Sequence, residues 1–298
     1  MAAPRSNRAR RFDDDEWQPD PIEHALDEVD DITEPDELDE PSWSTYRDAS
    51  RGPTPLPAWV VTDPRALDTD LGVMKTGKEA DVSLLRRAVT EPNPDRGAGE
   101  CLMAVKRYRS AEHRMFHRDA GYLEGRRVRR SREMRAMTTR TTFGRELIAG
   151  QWAFAEFTVL TRLWSAGAAV PYPVQLMGSE LMMEFIGSPD GIAAPRLAQT
   201  HPGRGEGIAL YQQLVATLGV LADLGLAHGD LSAYNILVHE GRLVLIDVPQ
   251  AVDIVGNPQG FTYLRRDCDN ICTWFAARGV PGVDADKLYD DLVHRATG

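Results

Sequence analysis

Residues 226–252 read LAHGDLSAYNILVHEGRLVLIDVPQAV, and the rest of the chain is organised around them. Two apolar runs, 236–238 and 243–246, flank the polar 239–242, His-Glu-Gly-Arg, and predict a short hairpin. Asp230 and Asn235 precede the first strand, and Asp247 closes the second. A tight hairpin thus draws three oxygen-bearing side chains to one element. By itself this is also the pattern of an ordinary turn with solvated acids at its ends.

The spacing His228-x-Asp230-x-x-x-x-Asn235 fits the catalytic loop of protein kinases. There the Asp accepts or orients a hydroxyl proton and the Asn holds magnesium. Asp247 then stands where a kinase carries a metal-binding Asp. Gly229 replaces the usual Arg before the catalytic Asp, so control through a phosphorylated activation loop is not expected. Val248-Pro249-Gln250 follows Asp247 in place of Phe-Gly, and the 51 residues after Asp247 contain no Ala-Pro-Glu. Little chain is left for a peptide-docking platform.

With 298 residues, 42% of them hydrophobic, the chain can bury a substantial core. The net charge of −11 is concentrated at one end: residues 1–50 hold sixteen acids and five arginines, and the remainder is formally neutral. Overall acidity therefore says nothing about what the folded body binds. No apolar stretch is long enough to span a bilayer or serve as a signal core, which predicts a soluble cytoplasmic protein without a membrane partner. Cys101, Cys268 and Cys272 have no zinc spacing and read as buried thiols. Residues 1–55 are expected to be a disordered acidic arm. It is either a solubilising tail or a segment that docks on a basic partner or on the protein's own basic loop.

Residues 71–85 read strand, polar loop, strand. Gly72-x-x-x-x-Gly77-Lys78 nearly matches a phosphate loop, but Glu79 replaces its Ser or Thr and a strand follows where a helix is required. A loop with one glycine can still cover a triphosphate through backbone N–H groups and the Thr76 hydroxyl. Ala104-Val105-Lys106 ends an apolar strand as the phosphate-binding lysine of kinases does. Glu156 is the only acid in the helical pattern of 151–165 and is the candidate ion-pair partner of Lys106. Between them, 107–145 carries twelve arginines against four acids. It is read as a contact for RNA or a ribosomal surface by counterion release, or as a solvated loop. The run 180–187 reads as a buried strand entering a linker, where Glu184 and Ile186 would meet adenine and Met183 would gate the pocket behind. Helices are expected at 208–226, 261–277 and 284–295.

Seven segments taken together resemble the RIO-type atypical protein kinases, type-one subgroup. They are Thr76-Gly77-Lys78-Glu79-Ala80, Ala104-Val105-Lys106-x-Tyr108, Met183-Glu184-Phe185-Ile186-Gly187, Ala194-Pro195-Arg196-Leu197, His228 to Asn235, Ile246-Asp247-Val248-x-Gln250-Ala251-Val252 and Leu264-Arg265-Arg266-Asp267-Cys268. The resemblance implies an α+β, two-lobed kinase-like fold with lobes at 56–187 and 188–298, the second reduced. It implies ATP with magnesium, Thr76, Lys78, Lys106, Glu156, Met183, Glu184 and Ile186 as the ATP-binding set, and Asn235 and Asp247 on the metal. It further implies serine autophosphorylation at a site built on Asp230, or ATP hydrolysis through a phosphorylated Asp247. Pro249, where many relatives carry Ser, departs from the pattern. Two alternatives stand beside this: a small-molecule phosphotransferase of the aminoglycoside or choline kind, and an ATP-gated ribosome or RNA assembly factor.

Overall fold

The computed structural model of this chain describes residues 40–91, 97–109 and 142–298. Its first part is an antiparallel sheet of β1 (Ser42–Trp43), β2 (Ser50–Arg51), β3 (Leu67–Thr76), β4 (Ala80–Ala88), β5 (Glu100–Tyr108), β6 (Pro173–Met177) and β7 (Glu180–Glu184). The spatial order is β1-β3-β4-β5-β7-β6-β2. Helix α1 (Thr142–Ser165) lies between β5 and β6 in the chain.

β1 and β2 sit on opposite edges, although only residues 44–49 separate them. Seven Cα steps reach at most about 25 Å, and the turn in which Thr45 O accepts from the N–H groups of Asp48 and Ala49 shortens that reach. A flat seven-stranded sheet would place its edges roughly 29 Å apart. The sheet is therefore curled, and the 44–49 turn ties its two edges together. This corrects the expectation that the arm remains disordered up to residue 55. Composition averages over the segment and misses that Thr45 Oγ1 accepts from the buried Gln175 and that the Tyr46 ring lies over Arg87. Residues 1–39 and 110–141, which hold most of the acidic arm and of the arginine-rich insertion, lie outside the described residues.

Strand alternation gives the sheet two unlike faces. Met103 and Val105 point to a core with Val61, Leu85, Tyr172 and Val174. On that side the fully buried Arg87 is bidentate to its cross-strand neighbour Asp68, at 2.7 and 2.8 Å, and donates to Gln175 at 3.0 Å. Without these partners a buried guanidinium would cost several kcal/mol. α1 packs on strands β5, β6 and β7, and its Ala153, Phe157 and Leu160 join the larger core.

The second part contains α2 (Arg204–Asp223), β8 (Leu226–Ala227), the hairpin β9 (Ile236–His239) and β10 (Arg242–Leu245), β11 (Val252–Asp253), α3 (Gly260–Ala276) and α4 (Ala285–Thr297). The turn at 239–242 is tighter than the sequence suggests, because His239 and Arg242 pair with each other. Only Glu240 and Gly241 remain in the loop, with φ of 51° and 73°. Two successive positive φ values match the right-handed twist of a two-residue hairpin. α2 ends at Asp223, short of the expected 226, because Leu226 enters β8 and pairs with Asp253 of β11. Among the described residues no helix is long and apolar enough to cross a membrane, and the three cysteines are buried free thiols.

Candidate active site

The alternation that buries Val105 turns Ala104, Lys106 and Tyr108 toward α1. Lys106 Nζ donates to Glu156 Oε1 at 3.0 Å and to Asp247 Oδ1 at 2.9 Å, bridging the sheet, the helix and the strand end of the second lobe. Glu156 is 1% exposed, and its other carboxylate oxygen accepts from the Tyr108 hydroxyl. Burial alone would lower the Lys106 ammonium, but the Glu156 and Asp247 charges outweigh it and hold the lysine above its ordinary value. Partial burial would raise Asp247, but Lys106, then Lys75 and His228, hold it below the usual carboxylate range. The ionised form of both groups is favoured.

The loop carrying Asp230 is held from beneath. Gly229 N–H and Leu231 N–H both donate to the carboxylate of Asp267 on α3, at 2.7 and 2.9 Å. Burial raises the Asp267 carboxyl despite the lowering effects of His228 and these two N–H groups. Gly229 has φ 85°, and a Cβ there would stand 2.4 Å from Gln250 O. Arg, the usual residue before the catalytic Asp, is therefore barred by backbone conformation and by space. Asn235 Nδ2 donates to Asp230 O at 2.8 Å. Ile246 N–H donates to Asn235 O at 2.9 Å, bringing Asp247 alongside.

The remaining sequence-derived residues lie around this centre. Thr76 and Lys78 are exposed at the tip of the β3–β4 turn, where Thr76 pairs with Asp81 across the two strands. Among the described residues, neither side chain hydrogen-bonds to Lys106, Glu156 or Asp247. Met183 pairs with Ala104 across β5 and β7 and so shares the face of Lys106. Glu184 N–H donates to Tyr172 O at 2.8 Å, its carboxylate accepts from Tyr172 N–H at 3.0 Å, and burial raises its carboxyl. Ile186 O accepts from Ala194 N–H at 2.9 Å. Arg107 and Arg109, which open the arginine-rich stretch, pair with Asp70, Glu180 and Asp81 and belong to the sheet. Sequence reasoning assigned no role to Tyr108 or Asp267, although both stand in the quoted segments. A lone acid on the buried face of a helix is the signal that could have singled out Asp267.

Fold and site together define the class, a two-lobed protein of the protein-kinase type. A profile of the RIO domain matches residues 94–288. The RIO-type serine/threonine-protein kinase Rio1 of Haloferax volcanii is 34% identical over 225 residues, 75% of this chain and 69% of that protein. The serine/threonine-protein kinase RIO1 of Caenorhabditis elegans is 36% identical over 143 residues, 48% of this chain and 28% of that protein. The human RIO1 is 29% identical over 231 residues, 76% of this chain and 37% of that protein. The chain belongs to the RIO domain family. It spans about a third of the worm and human relatives and about two thirds of the archaeal one.

Proposed function

We propose that this chain is an ATP-dependent RIO-type serine kinase with ATPase activity. The observation that carries the proposal is the bridge from Lys106 to both Glu156 and Asp247, beside the loop of Asp230 and Asn235. Lys106 would hold the nucleotide phosphates while Glu156, fixed by Tyr108, keeps the ammonium in place. With the Ile186 carbonyl and the Glu184 N–H already engaged, adenine would use the Ile186 N–H and the Glu184 carbonyl. Thr76 and Lys78 would cover the phosphates from the turn above.

The donor set fits magnesium, since Asn235 and Asp247 offer oxygen ligands and the rest would come from phosphates and water. Bound there, the ion supplies charge neutralisation to the phosphate oxygens. Asp230 orients the serine hydroxyl and takes its proton as the oxygen–phosphorus bond forms and the bond to ADP breaks. Positioning and charge account for most of the rate.

Asp247 supports a second outcome. Its side chain is 43% exposed and held ionised, so a carboxylate oxygen can attack the γ-phosphorus and release ADP. Water then cleaves the aspartyl phosphate, releasing phosphate and restoring the carboxylate. Acid-quenched protein after incubation with γ-labelled ATP tests both. Label lost to hydroxylamine is expected for aspartyl phosphate, label that resists it for serine, and no label under turnover conditions contradicts both. The arginine density of 107–145 favours an RNA or ribosomal-subunit partner, with binding that weakens steeply as salt rises.

A further inference from the structure

The loop from His228 to Asn235 carries no exposed cation: Gly229, Leu231, Ser232 and Ala233 are uncharged, and His228 is fully buried. Phosphoryl transfer nonetheless gathers negative charge on three phosphoryl oxygens next to the Asp230 carboxylate. Helix α3 supplies a positive group at that point. Arg266 Nη2 donates to the carbonyl of Gly229, the residue before Asp230, and lies 3.9 Å from Asp230 Oδ1. α3 therefore grips the loop with two successive residues, Asp267 on the N–H groups inside and Arg266 on the carbonyl outside.

We infer that Arg266 is a positioning residue of the phosphoryl-transfer site, holding Asp230 in place and setting a positive charge on the acceptor side. This rests on the reading of Asp230 given above. A distance of 3.9 Å is an ion-pair contact and too long for a hydrogen bond, so the guanidinium is fixed by the Gly229 carbonyl and not by the carboxylate. Its fork has five N–H groups, and the side chain is 49% exposed, as Asp230 is 59% exposed, so both open to the same solvent. Contact with the Tyr263 ring at 5.3 Å further restricts the guanidinium. Arg266 also lines an open groove of about 550 Å³ along α3, with Phe261, Thr262, Arg265, Asp269, Asn270 and Tyr289. Its neighbour Arg265 is directed elsewhere, to Asp269 at 3.1 Å and Asp286 at 2.6 Å.

A purely structural arginine that caps the Gly229 carbonyl would act through its hydrogen bond and not through its charge. Arg266→Gln keeps a donor and removes the charge, and Arg266→Lys keeps the charge. Phosphate release, KM for ATP, affinity for a fluorescent ATP analogue and thermal melting are compared for wild type and both variants. The expected result is a fall of about tenfold or more in kcat for Arg266→Gln, with KM, analogue affinity and melting temperature unchanged, and recovery of most of the loss in Arg266→Lys. Wild-type kcat in Arg266→Gln overturns the inference alone. So does equal impairment of both variants with a lowered melting temperature, which would mean a clamp and nothing more. A wild type that binds the analogue but releases no phosphate overturns the proposed function, and the inference with it.

Discussion

Asp247 occupies the left-handed region with φ 64°, a conformation that Asp and Asn tolerate better than other side chains. Asp247→Asn therefore removes the charge with little change in backbone strain. The folded carboxyl is depressed below its ordinary 3.8, so its contribution to stability is fully present above that value and is lost as pH falls through the folded value. Denaturant unfolding of wild type and Asp247→Asn should differ by a constant amount near neutral pH, and the gap should close as pH falls below about 4. The gap is small because the group is half exposed and screened. A gap that widens toward acid would contradict the ion pair with Lys106. The Lys106–Glu156 contact was legible in the sequence because 151–165 offers one acid. The bond from Tyr108 to Glu156 was not, since it depends on how closely α1 packs against β5.

Asp267 shows what one helix contributes to the loop. It is 2% exposed and satisfies two loop N–H groups that would otherwise be buried without an acceptor. In Asp267→Asn the amide NH2 faces one of them, at a cost of about 1–3 kcal/mol. Melting should fall accordingly, and phosphate release should fall further than stability does because Asp230 loses its fixed position. Unchanged phosphate release would show that the brace does not set the loop. The strands and helices were legible from apolar periodicity, but their ends were not. Leu226 continues the apolar pattern of α2 and yet pairs in β8, a choice made by β11 some 25 residues later. The two-residue hairpin likewise follows from pairing between His239 and Arg242, which residue type does not reveal.

At the scale of the molecule, the curled sheet depends on residues that composition assigns to the arm. A chain starting at residue 57 loses β1, β2, the bond from Gln175 to Thr45 and the bond from the Tyr172 hydroxyl to Pro53 O, both 2.8 Å. Those two bonds alone contribute about 1 kcal/mol each, and the bared edges of β3 and β6 invite intermolecular pairing. Such a chain should melt lower and aggregate more readily than one starting at residue 40, as read by calorimetry and light scattering. Equal behaviour would show that the strap is dispensable. The kinase-like architecture was legible because several short segments in fixed order specify it. The closing of the sheet was not, since it depends on six residues with ordinary turn composition. The central claim, that the two lobes meet in a phosphoryl-transfer site, is tested most directly by incubating the full chain with γ-labelled ATP and magnesium. Phosphate release and label on the protein are followed beside Asp230→Ala and Asp247→Asn. The expected result is wild-type turnover and its loss by about 100-fold or more in both variants. Turnover that persists undiminished in both would place the chemistry elsewhere and contradict the claim.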